Sequence, residues 1–97
     1  MLTWPQPAGD FASAYDEVRT CFRAIVNQAA RFQPVILSFA DAALRAAETW
    51  STPHPVHTYV APSNDVWARD HGPIGVQSAG ATRLLKFRFD GWGGKHP

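Results

Sequence analysis

A chain of 97 residues is enough for one small domain, which buries only about 60–65% of the surface its unfolded form exposes, so the margin of stability is thin. Nine basic and eight acidic residues leave a formal charge of +1, spread along the chain with no basic block to displace phosphate counterions, which argues against a nucleic-acid partner. The 45% hydrophobic and 18% charged content is that of a globular protein, and neither a bilayer-spanning apolar run nor a signal-peptide pattern is present, so the expectation is no membrane partner and a cytoplasmic location.

Trp4-Pro5-Gln6-Pro7 reads as an extended lead-in, with Asp10 placed to cap the helix that follows. Apolar residues at Phe11, Ala14, Tyr15, Val18, Phe22, Ile25, Ala29 and Phe32 recur at helical spacing and predict a helix running to about Phe32. Cys21 is the sole cysteine, so no intramolecular disulfide can form, which fits a reducing compartment; lying beside that stripe, it is expected to be a packed helix thiol. Pro34 stops the helix, and the apolar run at 35–39 predicts a strand covered on both faces. Asp41 then caps a second, alanine-rich helix over 41–50. Alternation at 56–60 predicts a second strand, parallel to the first through a right-handed crossover.

Beyond that strand, residues 61–64 carry turn chemistry. Residues 73–77 and 83–89 read as a hairpin around Ser78-Ala79-Gly80. The glycine-rich stretch 91–94 is suited to bring backbone close to a partner, and the expectation is that the chain is the N-terminal part of a larger fold or the product of a shortened reading frame.

The chemistry concentrates in two stretches, NDVWARDHGP over residues 64–73 and FDGWGGK over residues 89–95. Carboxylates beside indoles offer charge and flat apolar faces together, which a planar cation such as a guanidinium requires. Asp70 is the candidate clamp, because a carboxylate accepts two parallel charge-assisted hydrogen bonds from a guanidinium; the plain alternative is a surface pair with Arg69 or a turn cap. Trp67 either lies against a cationic substrate or fills core. Asp65 and Arg69 are expected to pair and fix the loop, with Asn64 in an Asx-type turn and Gly72 supporting the bend. Of the four histidines, His54 and His57 flank Pro55 without a third ligand, so no metal site is expected. His71 reads as a hydrogen-bonded loop residue with proton transfer as its alternative.

Together with Trp4-Pro5 near the start, these motifs resemble the agmatine deiminase and bacterial-type (Porphyromonas-type) peptidylarginine deiminase family, over nearly the whole chain. The resemblance implies a partial pentein fold, an α/β propeller of pseudo-symmetric ββαβ modules around a central site, with this chain supplying about one module and the start of the next. It implies a hydrolase acting on C–N bonds of amidines, which in the agmatine case serves putrescine biosynthesis and yields ammonia and N-carbamoylputrescine. In that family a cysteine thiolate attacks the guanidinium carbon, a histidine handles protons, and two carboxylates grip the nitrogens, with no cofactor.

By the same resemblance Asp70 matches the first of those carboxylates and Trp67 an aromatic lining the substrate pocket; Trp92 is a further candidate for substrate contact. Cys21 does not match the nucleophile, and the family's cysteine, histidine and second carboxylate fall beyond this segment, so the isolated chain is expected to be inactive. Asp90 stands where the family has Asn, adding charge near the pocket. Both agmatine and peptidyl-arginine stay open as substrates. The competing reading is a non-catalytic binding or assembly module that self-associates through an exposed sheet edge.

Overall fold

The computed structural model describes residues 1–95, and the chain divides into two compact units, Met1–Val66 and a second beginning at Trp67. The first unit holds a three-stranded parallel sheet of β1 (Leu2–Thr3), β2 (Val35–Phe39) and β3 (Val56–Val60), with helices α1 (Tyr15–Ala29) and α2 (Ala42–Ala46) between them. β2 is central. Leu2 and Thr3 pair with Leu37 and Ser38 on one side, and Val35 through Phe39 pair in register with Val56 through Val60 on the other. The expected parallel pair with an intervening helix is therefore present.

Alternation along β2 builds the core. Val35, Leu37 and Phe39 are buried, whereas Ile36 on the opposite face is 43% exposed, so the strand is covered on one face and not on both. The lead-in also departs from expectation: Leu2–Thr3 is a strand, and Trp4 is fully buried at the centre of the core. Its ring lies edge-on to Phe22 and Trp50 at 6.1 and 5.8 Å and tilted against Phe39 at 5.4 Å. Burying one indole against three aromatic rings gives a small domain much of its apolar contact in one place.

Asp10 does not cap α1. A 3-10 turn, Ala12–Ala14, intervenes, and the helix starts at Tyr15 with no side-chain cap; Asp16 and Glu17 in its first turn supply the negative charge that its N-terminal dipole favours. The helix ends at Ala29, and the carbonyl of Ala30 accepts from His54 N at 3.0 Å, tying the helix end to the approach to β3. Its inward face is Phe22, Val26, Ala29 and Ala30, rotated from the expected stripe so that Ile25 and Phe32 stay 44% and 72% exposed. Cys21 is exposed as well, correcting its reading as a packed thiol.

Asp41 does cap α2, its Oδ1 accepting from Leu44 N at 2.8 Å. That helix stops at Ala46, short of Trp50, because the chain turns to bring Glu48 into an ion-pair cluster with α1. Among the described residues no helix is long and apolar enough to cross a membrane.

Candidate functional site

The loop after β3 begins in the first unit. Gln6 donates from its side chain to the carbonyl of Ser63, anchoring the loop to the lead-in. Asp65 Oδ1 accepts from its neighbour Val66 N at 2.6 Å, a local turn that holds the backbone ahead of the motif; Asn64 lies exposed one residue earlier.

In the second unit the motif continues as α3 (Ala68–His71), a single turn with Trp67 at its N-cap position. Asp70 N donates to Trp67 O at 3.0 Å and Gly72 N to Ala68 O at 2.8 Å, closing that turn. Gly72 leaves it extended, at φ −77° and ψ 168°, a conformation open to any residue, so its role is the bend itself. One helical turn thus fixes Trp67, Arg69, Asp70 and His71. Trp67 is 53% exposed, so it does not fill core. Arg69 and Asp70 are exposed too, and among the described residues of this unit neither has an ion-pair partner, so the Asp70–Arg69 pair weighed as the plain alternative does not form.

β4 (Ile74–Ser78) and β5 (Ala81–Leu85) follow as an antiparallel hairpin. Its two-residue loop, Ala79 at φ 49° and Gly80 at φ 76°, has the doubly positive φ of the turn that matches strand twist. β5 ends at Leu85, so the expected strand is shorter, and Phe87 and Phe89 belong to the segment leading to the second motif.

There the backbone does something that its glycines permit but do not announce. Gly91, Trp92, Gly93 and Gly94 all have positive φ, at 65°, 59°, 75° and 82°, forming a left-handed turn closed by Gly94 N to Asp90 O at 2.8 Å and Lys95 N to Gly91 O at 2.9 Å. A tryptophan in this conformation costs about 1–2 kcal/mol. The Asp90 carboxylate accepts from Gly93 N at 3.0 Å, so its structural role is to cap this turn.

Trp92 meets Phe89 edge-on, with centroids 4.9 Å apart and planes at 89°, and Phe89 in turn faces His71 at 6.3 Å. Phe89 therefore links the two motifs inside one unit, a role that sequence reasoning did not assign to it; its alternation with Leu85 and Phe87 pointed to a strand face instead. Exposed carboxylate and exposed indoles together are what a guanidinium recognises. Among the described residues no group of three metal-ligating side chains comes together.

The family model for Porphyromonas-type peptidyl-arginine deiminase matches residues 1–97. The chain belongs to this family. It corresponds to the N-terminal segment of the Porphyromonas-type deiminases and is similar to the agmatine deiminase of Stutzerimonas stutzeri (strain A1501), 30% identical over 96 residues covering 97% of this chain and 26% of that protein. It is also similar to the agmatine deiminase of Pseudomonas savastanoi pv. phaseolicola, 28% identical over 94 residues, with 96% and 26% covered. Among solved structures, a substrate-bound agmatine deiminase from C. jejuni superposes with a TM-score of 0.83 at 26% identity, covering all of this chain and 28% of that one. The chain spans about a quarter of the length of the curated relatives it matches.

Proposed function

We propose that this segment is the N-terminal part of a guanidino-group hydrolase with a pentein fold, in which Asp70 grips the substrate guanidinium and Trp67 and Trp92 lie against it. The observation that carries the reading is the single turn α3, which presents Asp70 and Trp67 to solvent while His71 on the same turn is linked through Phe89 to Trp92. Asn64, Asp65, Arg69 and Gly72 support the loop that carries this turn. The nucleophile, proton-handling histidine and second carboxylate come from the remainder of the enzyme, so residues 1–97 alone bind without turning over. No metal or organic cofactor enters the reaction. The substrate-bound C. jejuni deiminase and the agmatine deiminases among the relatives support a guanidino substrate such as agmatine, the matching family model names peptidyl-arginine, and the sole cysteine supports a cytoplasmic setting.

A second reading has its own support. β5 is exposed along its whole length, and Leu84 and Phe87 are 69% and 63% exposed, a surface fit for an assembly module that self-associates through its sheet edge. Replacing Asp70 with Asn in a complete deiminase carrying the same motif separates the two: a clamp loses kcat/KM for agmatine while the protein stays folded, and an assembly module does not.

A further inference from the structure

Asp90 is the one acidic residue of the second motif, and its charge invites an electrostatic role toward a cationic substrate. Its geometry says something else. The carboxylate is spent on the backbone: Oδ1 accepts from Gly93 N at 3.0 Å while the Asp90 carbonyl accepts from Gly94 N at 2.8 Å. Both bonds stabilise the left-handed turn, and Trp92 sits inside that turn at φ 59° and ψ 52°. A glycine adopts such angles freely, whereas a tryptophan does so only when surrounding bonds select them. Once the backbone angles are set, the direction of the Cα–Cβ bond is set as well, and the indole is delivered edge-on to Phe89 at 4.9 Å.

We propose that Asp90 is a positioning residue for Trp92, acting as a hydrogen-bond acceptor and not as a charge. This deepens the reading of Trp92 as a substrate contact and rests on it for the consequence that agmatine affinity follows the state of the turn. An amide oxygen accepts the Gly93 N–H as a carboxylate oxygen does, so Asn is equivalent to Asp at this position for the purpose that matters. Alanine is not.

The test is two-dimensional NMR of the ¹⁵N-labelled 97-residue chain, with the Trp92 indole N–H identified by its loss in Trp92→Phe and the amides of β2 serving as a control for folding. In Asp90→Ala, Gly93 amide exchange should accelerate by about tenfold or more, and the Trp92 indole resonance should move toward its unfolded position while the β2 amides stay in place. In Asp90→Asn both should remain as in the parent chain. If Asn behaves like Ala, the charge is what counts and the proposal is wrong; if neither variant disturbs Gly93 or Trp92, the turn does not depend on Asp90 and it is wrong again.

Titrating agmatine into the three chains supplies the second readout. The shift of the Trp92 indole should report weaker binding in Asp90→Ala by about three- to tenfold and unchanged binding in Asp90→Asn. Should agmatine leave the Trp92 indole unmoved in the parent chain while Asp90→Ala still releases it, the substrate reading of Trp92 falls and the positioning role stands.

Discussion

Arg23 holds Glu48 with two nitrogens, Nε to Oε2 at 2.7 Å and Nη2 to Oε1 at 3.0 Å, while Arg19 one turn earlier on α1 reaches Oε1 at 2.6 Å. The Glu48 side chain is only 2% exposed, so a carboxylate just beyond α2 is locked to the outer helix of the same unit. Burial pushes the Glu48 carboxyl up, but the hydrogen bonds and positive charge of Arg23 and Arg19 outweigh it and hold the group below the usual carboxylate range. A depressed folded-state value means stability that is fully present above the unfolded value, about 4.3, and lost as pH falls through the folded one. Urea unfolding of the parent and Glu48→Gln chains should show a stability difference that is constant from neutral pH to about pH 5 and shrinks below about pH 4. A difference that persists undiminished at pH 3 contradicts this assignment.

Trp4→Ala removes the largest fully buried side chain from contact with Phe22, Phe39 and Trp50. The loss should be about 3–5 kcal/mol, a large share of the total for a domain of this size. Thermal or urea unfolding followed by circular dichroism should find the variant largely unfolded at room temperature, and Trp4→Phe intermediate. An unchanged midpoint for Trp4→Ala would place the core elsewhere.

Asp70→Asn in a complete deiminase with this motif keeps the side-chain shape and removes its charge. The lost charge-assisted bonds should cost roughly 2–4 kcal/mol of transition-state stabilisation, or about 30- to 1000-fold in kcat/KM. Asp65→Asn should instead lower the unfolding midpoint with little effect on the rate per folded molecule, because Asp65 bonds within its own loop. Near-normal kcat/KM in folded Asp70→Asn would put the clamp on another residue.

A polypeptide of these 97 residues should release no ammonia from agmatine, free arginine or peptidyl-arginine above background. Cys21 is exposed and therefore accessible, but α1 carries no histidine to take its proton, and general acid–base help is worth about 10²–10⁴. Turnover that survives dialysis and vanishes in Cys21→Ala would make this thiol a nucleophile after all.

The parts of the fold legible in sequence were those in which local pattern and tertiary pairing agree. Val35 to Phe39 and Val56 to Val60 are β-rich runs bounded by proline or turn residues, and their parallel pairing follows from the helix between them. β1 was illegible because a two-residue strand is shorter than any periodicity window; it exists only because β2 offers a free edge and Trp4 a place in the core. α2 fell short of its alanine-rich stretch because Glu48 and Trp50 gain more from Arg19, Arg23 and Trp4 than from continued helix. The motif residues stood out because acids and indoles cluster there, whereas the handedness of residues 91–94 was not legible: glycines reveal that φ is free without saying which sign is chosen.

The order of the strands bears on how the chain is made. Leu2 and Thr3 are made well before their partners Leu37 and Ser38, and Trp4 has its place only once Phe22, Phe39 and Trp50 have followed it. From the moment Trp4 is synthesised until Trp50 follows it, the indole therefore lacks part of the cover that the folded unit gives it. Nascent-chain binders that recognise aromatic residues have their opening in that interval.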